Sequence, residues 1–354
     1  MKEEDRKGRR PATRAAGTGL RLVAVLLVLL VANTAVAQRR QDKRPRVGLV
    51  LGGGGAKGAA EVGALKVIEQ SGVTIDYIAG TSIGAIIGGL YACGYRSAQL
   101  DSLFRSQNWN HLLADRNGDF DKRPLAKHGG TTFLFGYPVG KKHDKDGGGR
   151  RGIMRGDSIV ALLTEMTRRP DSISFDRLPI PFRCVAVDMN SLSEHVFASG
   201  VLAKAMRASM SIPVAFKTVE KDSMELVDGG LLNNLPVDVV KAMGADIVIA
   251  IDLTQNHRPP TGKVFKRKKH PLAQLIEWAK KRPDLVKYHQ NLKLADIYIN
   301  PDLEGFDAAS FDNEKIGEMI RRGETAAGMK RGELDALATR LKSAGNASRP
   351  SRRR

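Results

Sequence analysis

The sequence predicts an α/β fold built on a mostly parallel sheet, and three observations carry that prediction. Short apolar runs recur at 46–51, 74–80, 182–190 and 246–253. The first two end in glycine-rich turns, and stretches of helical periodicity lie between the runs. Strands alternating with helices are the pattern of a parallel sheet, because each crossover to a parallel neighbour needs a helix-sized connection.

The elements follow in order. VGLVL precedes four consecutive glycines (Gly52 to Gly55), after which an alanine-rich helix over 56–70 is closed by Gly72. TIDYIAG (74–80) reads as the second strand, and IGAIIGGLYAC as a helix over 83–93. Asn117 to Arg151 is rich in Gly, Lys and Asp without sustained periodicity, so a long surface insertion is expected there. Asp157 has the residue type of an N-cap for a helix over 158–168. Strands are expected at 182–190, 195–199 and 224–228, and a helix at 201–210. Pro236 opens a helix that Gly244 ends, with Asn233 and Asn234 as its caps. DIVIAIDL (246–253) has the unbroken apolar character of a strand buried on both faces. A basic loop (255–270), a helical stretch interrupted at Pro283, a strand near 296–299 and one amphipathic helix over 312–342 complete the fold, before a disordered basic tail at 343–354.

Both the chain's start and its charge suggest where it works. Residues 1–37 have a basic beginning, an apolar segment from Leu22 to Ala32 and small residues Ala35-Val36-Ala37, the pattern of a signal peptide cleaved before Gln38. Eleven uninterrupted apolar residues fall short of the roughly 20 that span a bilayer. Export to a periplasmic, outer-membrane-associated or secreted location is therefore expected, with 38–45 as a short linker and 46–342 as one domain. The net charge is +19; loss of 1–37, with seven basic and three acidic residues, leaves +15. Such a surface favours anionic partners, and an anionic membrane fits an exported protein better than nucleic acid, for which no motif is present; a merely solubilising charge is the equal alternative. Cys93 and Cys184 are too few for a disulfide framework. No spacing of Cys, His or acidic residues suggests zinc or calcium, and no cofactor is expected.

Chemistry concentrates in three places. The glycine loop permits several amides to converge on one anion: a nucleotide phosphate, an oxyanion formed in acyl transfer, or none if it is only a tight turn. Gly80-Thr81-Ser82-Ile83-Gly84 matches GxSxG between a predicted strand and a predicted helix, where the two glycines permit a sharp turn that projects the Ser82 hydroxyl. With a nucleophile on the adjacent strand, oxyanion binding is the better reading of the first loop, through amides near Gly54 and Gly55. A P-loop would need Ser or Thr after its lysine, and Lys57 is followed by Gly58. The serine needs a base, and Asp228, followed by Gly229 and Gly230 at a strand end, has glycines that allow close approach to another loop.

Together GGGGAKG, GTSIG and DGG, with ASMSIPVAF (208–216) and DGGLLNNLPVDVV (228–240), resemble the patatin-like phospholipase family over nearly the whole of 46–342. The resemblance implies a three-layer α/β/α fold and a lipid acyl hydrolase with lipid or phospholipid substrates. It also implies a dyad of Ser82 as nucleophile and Asp228 as base. The oxyanion hole would be drawn from Gly53, Gly54, Gly55, Lys57 and Gly58. Lys57 stands where many members have Arg. Ser209 and Ser211 read as packing at a helix end stopped by Pro213. The competing readings are a Ser-Asp-His α/β-hydrolase, using Asp188 or Asp228 with His257, His270 or His289, and a basic membrane-binding module with little activity.

Overall fold

The computed structural model describes residues 44–114, 127–128, 131–132, 152–255 and 284–347. The expected signal segment lies outside the described residues, as do most of the 117–151 insertion, residues 256–270 of the basic loop and residues 348–354 of the tail. Residues 45–339 form one compact unit. Of the other unit, 1–44 with 340–354, only Arg44 and the helical residues 340–347 are described.

Eight strands make the main sheet: β1 (Val47–Leu51), β2 (Tyr77–Thr81), β3 (Phe182–Asp188), β4 (Ser193–Phe197), β5 (Val219–Lys221), β6 (Met224–Asp228), β7 (Ile247–Ile251) and β8 (Ile297–Ile299). The order is β5-β6-β3-β2-β1-β7-β8, with β4 hydrogen-bonded to β3. From β3 through β8 along this path every pairing is parallel, whereas β4, β5 and β6 pair antiparallel. Strands β1 and β7, buried along almost their full length, have the continuous apolar sequences that such a position demands.

The helices cover both faces. They are α1 (Ala59–Ser71), α2 (Ile83–Ala92), α3 (Ser97–Ser106), α4 (Trp109–Ala114), α5 (Asp157–Thr167), α6 (Leu202–Ser209), α7 (Val237–Ala242), α8 (Asp284–Leu294), α9 (Asn313–Gly328) and α10 (Arg331–Ala347). On one face Val50, Ala79, Val185, Val248 and Ala250 of the strands pack with Val237, Val239 and Val240 of α7 and Tyr288 of α8. On the other, α2 lies against Leu51, Ile78 and Phe182. Alternate residues of β1 and β2 therefore feed two apolar layers, and the sheet is the middle layer of three. Helices α1 and α9 approach so closely that a Cβ on Gly323 would sit 1.9 Å from the Ala60 carbonyl oxygen.

Several local expectations are corrected. Asp157 is the first residue of α5, and Gly156, in a left-handed conformation with φ 76°, occupies the N-cap. A Cβ at Gly156 would also overlap the Arg207 guanidinium, so the turn is shaped by packing and not by a side-chain cap. The single helix expected over 312–342 is two, broken at Met329–Lys330 beside Gly328, where the weak helix former tolerates the break. Helix α10 continues to Ala347, five residues into the segment expected to be tail. Neither Asn233 nor Asn234 caps α7. The Asp238 amide is held by Asn291 Oδ1 at 3.1 Å, while Asn233 donates to the side chains of Glu194 and Asp238 and Asn234 to the Gly53 carbonyl.

Candidate active site

The sheet itself brings the two principal side chains together. Thr81 at the end of β2 pairs with Val185 in parallel, while Asp228 at the end of β6 pairs with the next residue, Ala186, in antiparallel. Val185 and Ala186 also pair with Val196 and His195 of β4, which therefore fills the other edge of β3. Strands β2 and β6 thus run toward each other along one edge of β3 and meet tip to tip. Ser82 is the next residue of β2's path and Asp228 the last of β6. The Ser82 hydroxyl donates to Asp228 Oδ2 at 2.7 Å.

Ser82 leaves the strand at φ 57° and ψ −123°, a conformation that a residue with a Cβ rarely adopts. The turn is possible because its glycines let backbone pass against backbone. A Cβ on Gly80 would lie 2.3 Å from the Gly84 carbonyl oxygen, and one on Gly84 would lie 2.4 Å from that of Leu51. Neither neighbour is a flexible side chain. Gly84→Ala is therefore expected to lower stability by about 1–3 kcal/mol and to cut turnover, checked by thermal unfolding alongside ester hydrolysis. An Ala variant with unchanged melting and turnover would show that the elbow tolerates the added methyl.

Asp228 is buried, with its Oδ1 accepting the Gly230 amide at 2.7 Å and its own amide donating to the Ser211 carbonyl at 2.9 Å. Desolvation pushes its carboxyl up to about 6, against the opposing effect of the bonds from Ser82 and Gly230. Gly229 packs directly on the Val185 carbonyl, where a Cβ would fall 2.3 Å from the oxygen.

The glycine loop lies at the C-terminal end of β1, beside Ser82. Not all of its amides are available to a ligand. Gly53 N–H donates to the Asn234 carbonyl at 3.2 Å, Ala56 N–H to that of Ala308 at 3.0 Å and Lys57 N–H to that of Gly54 at 3.3 Å. Gly54 and Gly55 have amides with no acceptor among the described residues. Gly55 has φ 60° and lies so close to Ala308 that a Cβ would sit 2.5 Å from that carbonyl oxygen. Gly58 packs on Ile83, closing the loop against the elbow helix. Asn234 straps the loop a second time, its side-chain amide donating to the Gly53 carbonyl at 3.2 Å. Beneath the loop, Glu61 is wholly buried beside the Gly52 backbone and Asp252, and desolvation holds its carboxyl well above the usual range.

A cavity of about 210 Å³ opens against Ser82 and Gly55. Its walls are apolar, with Ile83 and Ile86 from α2, Trp109 from α4, Met154, Phe216 and Phe311. The Trp109 ring is fixed by stacking on Phe311 at 5.5 Å and by its indole N–H donating to the Phe104 carbonyl at 2.8 Å. Such a chamber suits a flexible hydrocarbon. Among the described residues no group of His, Cys, Asp and Glu has the arrangement of a metal site.

Sequence reasoning left two parts of this site unread. Ser209, treated as packing, has its hydroxyl between the Ser82 amide (2.9 Å) and the Val185 carbonyl (2.6 Å). The signal was available, since a hydroxyl between Ala208 and Met210 at the buried end of α6 requires a partner. The segment around Ala308 to Phe311, which braces the loop and walls the cavity, carried no signal, because more than 200 residues separate it from Ser82. Of the alternatives weighed for a triad, Asp188 is engaged by its own turn and by β6, accepting from Ser191, Asn190 and the Glu225 amide. His289 is exposed, and His257 and His270 lie outside the described residues.

The family model described as a patatin-like phospholipase matches residues 49–241, the span that holds the glycine loop, the elbow and Asp228. The chain belongs to the patatin-like phospholipase family. An uncharacterised NTE family protein of Mycobacterium tuberculosis is 30% identical over 226 residues, covering 64% of this patatin-like chain and 54% of the relative. Patatin-like phospholipase domain-containing protein 7 of Rattus norvegicus is 32% identical over 209 residues, 58% of this chain and 13% of that protein. Lysophospholipase nte1 of Aspergillus fumigatus is likewise 32% identical, over 58% of this chain and 12% of its own. This patatin-like chain thus matches about half the length of the mycobacterial relative and about an eighth of the other two. Among solved structures, VipD from Legionella pneumophila aligns over 82% of this chain and 67% of its own, at 14% identity and a TM-score of 0.41.

Proposed function

We propose that this protein is a serine lipid acyl hydrolase of phospholipase A or lysophospholipase type, working through a Ser82–Asp228 dyad. The observation that carries this reading is the 2.7 Å hydrogen bond from the Ser82 hydroxyl to Asp228 at the wall of an apolar cavity. An acyl chain enters the cavity and brings its ester carbonyl against Ser82. Ser82 Oγ attacks the carbonyl carbon while Asp228 Oδ2 takes the hydroxyl proton. Negative charge develops on the carbonyl oxygen, where the Gly54 and Gly55 amides receive it. Collapse of the intermediate expels the alcohol, which leaves with the proton held by Asp228. Water then attacks the acyl-serine, again giving its proton to Asp228, and the fatty acid departs as Ser82 is reprotonated.

This reading predicts a pH dependence. Asp228 accepts a proton only when ionised, and burial places its ionisation near 6. The kcat/KM for an uncharged chromogenic ester should rise with pH through about 6 to a plateau and fall about tenfold per unit below it. A profile flat down to pH 4.5 would remove Asp228 from the role of base. The reading itself is tested by incubating the protein with monoacyl and diacyl phospholipid vesicles and measuring free fatty acid, with mass mapping of the residue labelled by a serine-reactive fluorophosphonate. Fatty acid release and labelling at Ser82 are expected. No release from either lipid, or a label elsewhere, would overturn it.

A further inference from the structure

We propose that Ser209 is a positioning residue for the nucleophile, holding the Ser82 amide so that the strained elbow keeps one geometry; the inference rests on Ser82 being the nucleophile. The ladder between β2 and β3 ends at the pair Thr81 and Val185. The next donor on the path of β2 is the Ser82 amide, which turns out of the sheet at φ 57°. The Ser209 hydroxyl fills that position, accepting from the Ser82 amide at 2.9 Å and donating to the Val185 carbonyl at 2.6 Å. A side chain thus extends the ladder by one bridge at the residue where the backbone departs.

The direction of these bonds matters. A serine hydroxyl has one proton, and here it is committed to Val185, so its lone pairs are turned toward the Ser82 amide. Ser209 is completely buried, and no water-exposed rotamer competes for that proton. Backbone in a sparsely populated region persists only where its surroundings determine it. Without the hydroxyl, the Ser82 amide loses its buried partner at the residue whose side chain must meet both Asp228 and an ester carbonyl.

The segment that carries Ser209 is tied to the rest of the site. Two residues on, the Ser211 carbonyl holds the Asp228 amide at 2.9 Å, and Met210 between them lines the cavity. Arg207 anchors the segment, donating to the Ser211 hydroxyl and to the carbonyls of Arg155 at 2.7 Å and Lys217 at 3.1 Å, with its guanidinium over the Phe216 ring. One short stretch at the end of α6 therefore sets the nucleophile through a side chain and the base through its backbone.

The test compares Ser209→Ala with Ser71→Ala. Ser71 is also a buried serine at a helix end, with its hydroxyl donating to the Ile68 carbonyl at 2.7 Å and accepting from the Val73 amide at 3.4 Å, away from the site. Ser209→Ala should lower kcat for a chromogenic ester by roughly a hundredfold, the scale of a 1 Å misplacement of a reacting group. KM and the acidic limb of the pH profile should stay unchanged, because Ser209 does not itself line the cavity and does not touch Asp228. Ser71→Ala should keep parental kcat even where its melting temperature falls. Should the alanine variant not fold, Ser209→Cys, similar in size with a weaker donor and acceptor, should fold and give an intermediate kcat. Parental kcat in folded Ser209→Ala or Ser209→Cys, with Ser82→Ala inactive, would overturn the positioning role and leave the dyad standing. Activity retained in Ser82→Ala would overturn both.

Discussion

Ser82→Ala should cut ester hydrolysis by on the order of 10⁵-fold or more, since catalytic residues that act as a unit fail together when the nucleophile is lost. The fold should survive. Alanine keeps the Cβ that already tolerates φ 57°, and the glycine contacts that shape the elbow involve only backbone. What changes locally is Asp228, which loses a hydrogen bond that favours its ionised form. Its carboxyl should therefore protonate at still higher pH in the variant, observable as a shifted carboxyl titration by NMR or infrared difference spectroscopy. Circular dichroism and melting temperature should remain near those of the parent. A folded Ser82→Ala protein that still hydrolyses the ester would show that another group is the nucleophile.

How much of this was readable beforehand differs by element. The central strands and the elbow helix were readable within a few residues, because β1, β2, β3 and β7 are apolar runs bounded by turn residues. The three motifs were readable for a different reason. Gly55, Gly80 with Gly84, and Gly229 after Asp228 each mark a place where backbone must approach backbone, and that requirement writes glycine into the sequence. Hydrogen bonds accepted by main-chain carbonyls leave no such mark. That the Gly53 amide is taken by Asn234, the Ala56 amide by Ala308 and the Asp228 amide by Ser211 depends on strand order and register, so residue type could not divide the glycine loop into engaged and available amides. Asn234 shows the same limit: an asparagine just before a helix has the residue type of a cap, yet its side chain reaches a loop 181 positions away.

The meeting of β2 and β6 on one edge of β3 also lay beyond sequence pattern. Both strands were predicted, but parallel pairing for one and antiparallel for the other is a property of the assembled sheet. That arrangement places two strand ends in line, so Ser82 and Asp228 meet without a long loop to bridge them. It also fixes the carboxyl: Asp228 is held by its place in the ladder, by the Gly230 amide and by the Ser211 carbonyl. In a Ser-His-Asp triad the acid orients the imidazole; here the sheet orients the acid.

Asp228→Asn should separate catalysis from stability in opposite directions. Activity should fall by on the order of 10³-fold or more, because an amide cannot take the Ser82 proton. Stability at neutral pH should rise. The Asp228 carboxyl goes from 3.8 to about 6 on folding, so between those values the folded state holds the proton more readily than the unfolded chain. The contribution of this group to stability is thus fully present below about 4 and is lost as pH rises through about 6. At pH 7.5 the ionised carboxylate costs the fold up to about 3 kcal/mol, two pKa units at 1.36 kcal/mol each. Asparagine carries no such charge and still presents an oxygen to the Gly230 amide. The variant should therefore unfold at a higher temperature than the parent at pH 7.5, and the gap should close at pH 4, where the parent carboxyl is also neutral. Turnover within tenfold of the parent would exclude Asp228 as the base. A variant less stable than the parent at pH 7.5 would show that the folded protein favours the ionised carboxylate. The loss of stability would then place Asp228 among ordinary structural aspartates, held by hydrogen bonds that outweigh its burial.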